Sequence, residues 1–171
     1  MENKKEKLED FKTAISSTVR SISNSEKIEV SFGNQTPKSE KNSIKLPELS
    51  QINNKLNFDQ IRAMADSKSL NFRFSDDKTF KEYEPVGNIS KRLYKISEKI
   101  RCEKIGTSYF KGVKNNIEKF YQERLSSMDL KSSEDKIIES FENYLRTKFL
   151  DFKSDSQIDK KLKSYKKDLN D

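Results

Sequence analysis

Five ionisable residues stand at spacings that bring them within reach of one another. Arg62 and Asp66 are four apart, and Glu98, Arg101 and Glu103 follow in one short run. Residues three or four apart share a helix face, so Arg62 can pair with Asp66 and Glu98 with Arg101. The chemistry is ionic. One reading is a solvated ion-pair face, worth about 0.2–0.5 kcal/mol per pair. The other is a polar network that faces a partner, steadies a bend, or forms a buried ionic cluster between the two helices that carry these residues. Ser67, Gly106, Gly112 and Asn116 lie beside the charges and complete the set of candidate interaction residues.

Catalytic constellations are missing. With no histidine, neither a serine nor a cysteine triad can be assembled. The chain has no G-x-x-x-x-G-K-[ST] loop, so ATP hydrolysis of the Walker type is excluded, and no G-x-G-x-x-G or H-E-x-x-H. A metal would have to be held by carboxylates alone, a poor site for a soft ion. The acidic doublets Asp76-Asp77 and Glu134-Asp135 read as loop or helix-start residues that complement the helix dipole. The single cysteine, Cys102, reads as a small packing residue. No catalytic, cofactor-binding or metal residue is expected.

The element that must position the central charges is residues 89–125. Ile89, Leu93, Ile96 and Ile100 keep a helical step, leaving Lys91, Arg92, Lys95, Glu98 and Lys99 on the other side. The period slips at Ile105-Gly106-Thr107-Ser108 and resumes with Tyr109, Val113, Ile117, Phe120 and Tyr121. This predicts either a kinked helix or two helices meeting near Gly106.

The rest of the chain supplies supports. Leu8, Phe11, Ile15, Val19 and Ile22 predict an amphipathic helix over 4–22. Ile28 to Phe32 alternate, Gly33-Asn34 is turn chemistry, and 42–46 can pair with the first run before Pro47. After a polar loop at 48–57, Asn57 caps a helix from Phe58 with Phe58, Ile61, Ala65 and Phe72 inward. Residues 76–88 read as a connection. Ser132 or Ser133 caps a helix with Ile137, Ile138, Phe141, Leu145, Phe149 and Phe152 on one face. Ile158, Leu162, Tyr165 and Leu169 repeat the helical spacing in a highly charged tail, expected to be exposed, marginal or partner-stabilised. The expected fold is mainly α, with amphipathic helices packed around a long kinked helix at about 89–125 and a small β-ribbon near 28–46. The expected division is 1–125 as a helical module and 126–171 as a partly exposed helical extension.

Composition narrows the function classes. At 171 residues, 32% of them hydrophobic and 37% charged, the core must be concentrated in a few stripes. The net charge of +7 and pI near 9.3 permit an acidic partner, nucleic acid or an anionic surface. The lysines, however, are interleaved with acids instead of gathered into one block. The N-terminus lacks a signal-peptide apolar run, and no stretch is long and apolar enough to span a membrane. A cytoplasmic protein is expected, and one cysteine suits a reducing compartment.

Four dispersed blocks carry a family resemblance. Glu98-x-x-Arg101-x-Glu103-x-Ile105-Gly106, followed by Gly112-Val113-x-x-Asn116, resembles the E-Q-A-R-x-E-A-I-G…G-V-x-x-N segment of the CobT subunit of the aerobic, ATP-dependent cobaltochelatase. Leu46-Pro47, the run Arg62-Ala63-Met64-Ala65-Asp66-Ser67, and then Leu70, Arg73, Asp76 and Pro85 fit its L-P, R-G-x-A-D-S and L…R…H-D…P in order. The resemblance covers about 8–125. It implies the N-terminal region of a subunit in the complex that inserts Co2+ into the corrin ring of hydrogenobyrinic acid a,c-diamide during cobalamin biosynthesis, a ligase forming a nitrogen-metal bond. It further implies an AAA+ ATPase subunit and a large corrinoid-binding subunit as partners. ATP, Mg2+ and Co2+ are used by the complex, and none is bound by this chain. Family members continue into a C-terminal von Willebrand factor A domain; these residues stop before it, as a fragment, a truncated form or a divergent single-domain homologue would. Ser75 and Phe80 replace two family histidines, Tyr94-Lys95 replaces F-D, and Ala63 replaces the first glycine, which argues against metal or acid/base chemistry in this segment. The reading is a non-catalytic assembly and coupling module, without membrane or nucleic-acid contact. The alternative is a basic helical nucleic-acid-binding protein.

Overall fold

A computed structural model describes residues 2–34, 42–48, 58–128 and 132–153. Among them the order is α1 (Glu2–Ser23), β1 (Glu29–Phe32), β2 (Ser43–Leu46), α2 (Phe58–Phe74), α3 (Asp77–Glu82), α4 (Asn88–Tyr109), α5 (Val113–Ser127) and α6 (Ser133–Leu150). The mainly helical class with a small ribbon is as the sequence predicts. The chain divides into two compact units, Met1–Arg73 and Phe74–Asp171. No helix among the described residues is long and apolar enough to cross a membrane.

The first unit is an apolar core. Ile15 and Val19 of α1, Ile28 at the edge of β1, Phe32, Ile44 and Leu46 of the strands, and Ile61 and Ala65 of α2 are buried together, with Leu8, Phe11 and Phe72 packed against them. Phe58 is partly exposed but lies 4.4 Å, centroid to centroid, from the Phe11 ring. Asn24 adopts a left-handed conformation (φ 53°) just past α1, ending the helix as a short polar residue can. From α2, Arg73 Nη1 donates to the Ile22 carbonyl at 3.0 Å, satisfying an acceptor that the helix end leaves open. The ribbon lies where the alternation puts it, but its strands pair parallel, with Glu29 opposite Ser43 and Phe32 opposite Leu46. Gly33-Asn34 is therefore not a tight hairpin turn. Gly33 has φ 63°, and a Cβ there would come within 2.5 Å of the Glu48 carboxylate. The predicted Asn57 cap lies outside the described residues, as does the tail 154–171.

The second unit is built of helices, with no strand among its described residues. The stretch taken as a connection contains α3, started by Asp76, whose carboxylate accepts from the Lys78 and Thr79 amides. Residues 89–125 form two helices, and the break falls at Phe110–Gly112. Gly112 takes the left-handed conformation (φ 91°) that starts α5, whereas Gly106 is buried inside α4. A residue without Cβ enters that region at no steric cost. Of the α4 stripe, Ile100 is buried, Leu93 and Ile96 are half-buried and Ile89 is exposed. On α5, Val113, Ile117, Tyr121 and Leu125 face inward. Arg92 of α4 pairs with Glu134 and Asp135 at the start of α6, and Glu103 pairs with Arg146 further along both, so α4 and α6 run parallel. α5 is antiparallel to them, because Arg124 near its end meets Glu139 and Glu142 while Glu118 near its start meets Lys153.

An ion-pair motif and a buried ionic core

In the first unit, Arg62 and Asp66 pair as their spacing demands, Nε to Oδ1 at 3.2 Å. The Arg62 side chain is 43% exposed, and that of Asp66 is fully buried. Ser67 beside it is buried as well. The α2 helix brings all three into place because Ile61, Ala65 and Leu70 fasten it to the core.

In the second unit, the Glu98, Arg101, Glu103 run divides between two faces of α4. Arg101 donates from Nε and Nη2 to both Glu98 oxygens, at 2.7 and 2.8 Å. Its Nη2 also reaches the Phe74 carbonyl at 2.6 Å. The Arg101 hydrogen bond holds the Glu98 carboxyl below its ordinary pKa, against the opposing effect of burial. Cys102 lies under this pair, and burial, reinforced by Glu98, pushes its thiol up to about 12; it is a protonated packing group at neutral pH.

Glu103 faces the other way, into the unit's interior, with 0% exposure. Its partner is Arg146 of α6, itself 1% exposed, at 2.6 Å from Nη1 to Oε2. Arg146 also binds Glu142, one helical turn back, at 2.8 Å. Glu142 accepts in turn from Arg124 Nη2 at 3.0 Å, and Arg124 holds Glu139 bidentately at 2.9 and 2.9 Å. Lys99 approaches Glu103 at 4.0 Å. The result is one alternating chain of charges, Lys99–Glu103–Arg146–Glu142–Arg124–Glu139, threading α4, α6 and α5. The Tyr121 ring lies against both guanidinium groups, whose carbons are 4.8 Å (Arg146) and 5.3 Å (Arg124) from its centroid. Its own hydroxyl is buried without a hydrogen-bond partner among the described residues, and burial raises its pKa.

The electrostatics are self-compensating. Burial raises the Glu142 pKa, yet Arg146, Lys99 and Arg124 outweigh it and hold the pKa below the ordinary value. Burial likewise opposes the charge on Arg146, and Glu103 and Glu142 reverse that effect. Of the candidate residues, Gly112 starts α5, and the Asn116 amide donates to the Gly112 carbonyl at 3.1 Å. Gly106 is buried within α4.

Sequence reading missed Arg124, Glu139, Glu142 and Arg146, and grouped Ile137, Ile138, Phe141, Leu145, Phe149 and Phe152 on one face of α6. Ile138 and Phe152 are buried, but Ile137 and Phe149 are exposed, and Glu139, Glu142 and Arg146 take the interior. The physical reason is that these charges satisfy one another and the facing Glu103 and Arg124, which removes the penalty on burying them. The i,i+4 spacing of Glu142 and Arg146 was the available signal.

This arrangement defines a helical packing module whose interior is organised by ion pairs. The chain matches the family described as cobalamin biosynthesis protein CobT over residues 5–146, which takes in both ion-pair motifs and Arg146 itself. It belongs to the CobT family. No solved structure matches it.

Proposed function

We propose that this chain is an assembly and coupling module of the cobaltochelatase that inserts Co2+ into the corrin ring in cobalamin biosynthesis. It acts in the cytoplasm beside an AAA+ ATPase subunit and a large corrinoid-binding subunit, and carries no catalytic residue of its own. Family membership over 5–146 supports this reading. ATP and Mg2+ serve the motor partner, and Co2+ is the substrate ion of the whole complex.

One observation supports an internal, ordering part for the motif in this role. Glu98, Arg101 and Glu103 are engaged by the chain's own groups: Arg101 by Glu98 and the Phe74 carbonyl, Glu103 by Arg146. These internal bonds support an ordering role for the motif, with the docking surfaces elsewhere on the module.

The test is to mix the 171-residue chain with the AAA+ subunit, with and without ATP and Mg2+, and to determine the mass of the product by size-exclusion chromatography with light scattering. A complex of higher mass is expected; elution of the chain alone under every condition overturns the docking role. Arg101→Ala tells ordering from docking. A lowered melting temperature is expected, whereas unchanged melting with lost association would make Arg101 part of the docking face.

A further inference from the structure

We draw no further inference here: the strongest candidate, the exposed apolar patch of Tyr83, Val86 and Ile89 at the turn between α3 and α4, carries none, because nothing among the described residues shows what covers it.

Discussion

The two units of this chain bury their interiors by different physics. In the first, Ile15, Val19, Ile61 and Ala65 leave water as hydrocarbon, a non-directional gain of roughly 25 cal/mol per Å². In the second, the largest fully buried side chain is Arg146, and Glu103 is buried with it. Around them Ile100, Val113, Ile117, Leu125, Ile138 and Leu150 are buried as hydrocarbon, but the charges themselves gain little from burial, since desolvation offsets most of the attraction between them. What they supply is directionality. Arg146 of α6 meets Glu103 of α4, and Arg124 of α5 meets Glu139 and Glu142 of α6, so each helix is tied to its neighbour at named positions. An apolar core tolerates rearrangement, whereas this one penalises it.

Removing a single member of the chain of charges should break the second unit most severely. Arg146→Met leaves Glu103 and Glu142 without their shared guanidinium, a loss expected to cost about 3–5 kcal/mol. Urea denaturation followed by circular dichroism measures it. The comparison sharpens when the group is removed together. Glu103→Leu with Glu142→Leu and Arg146→Met leaves Arg124 its bidentate bond to Glu139 and should recover most of that loss, because no uncompensated charge remains buried. The first unit offers no such rescue. Ile61→Ala should cost about 2–5 kcal/mol, with no partner residue whose removal restores it.

The same contrast governs what the sequence made legible. In the first unit, the stripe Leu8, Phe11, Ile15, Val19 and Ile22 and the inward Ile61 and Ala65 could be read from periodicity, since apolar burial leaves a pattern along one strand of sequence. The ribbon's position could be read, but its parallel pairing could not, because alternation carries no strand direction. The second unit hid its interior behind the opposite pattern. On α6, Glu139, Glu142 and Arg146 are buried beside Ile138 and Leu150 while Ile137 and Phe149 are exposed, so a hydrophobic-inside rule does not find the charges. Glu142–Arg146 is a local spacing, but Glu103 lies 43 residues from Arg146, and no local pattern reports that pairing. The pairs Arg62–Asp66 and Glu98–Arg101 were legible because each closes within one helix turn. The short α3 buries none of its residues and left only the Asp76 cap as a signal.

Acid should act on the ionic unit through identifiable groups. Glu142 has an ordinary pKa of 4.5 and a folded value below it. Its contribution is therefore complete above pH 4.5 and is lost as the pH falls through the folded value. Glu98, whose pKa is lowered chiefly by Arg101, has the same sign. Lowering the pH from 7 to 3 is expected to reduce the protection factors of amides in α4–α6, referred to the intrinsic exchange rate at each pH, more than those in the Ile15–Ile61 core of α1 and α2. Raising it from 7 to 9 should produce no loss through either carboxylate. Hydrogen exchange resolved by residue is the measurement, and equal acid sensitivity in both cores would remove the distinction between them.

The smallest effect belongs to the one motif pair in the apolar unit. Arg62 is 43% exposed at its side chain, and its bond to Asp66 is a single one at 3.2 Å. An i,i+4 pair open to solvent on one side is worth about 0.3–0.5 kcal/mol, and Asp66 has further interactions of its own within the described residues. Arg62→Ala should therefore lower stability by about that amount, an order of magnitude below Arg146→Met, although both remove an arginine from a carboxylate. The difference in burial of the two guanidinium groups, and not the identity of the pair, sets the ratio. Thermal melts of the two variants at low and high salt test this, since only the Arg62 effect should shrink as salt screens the exposed charge.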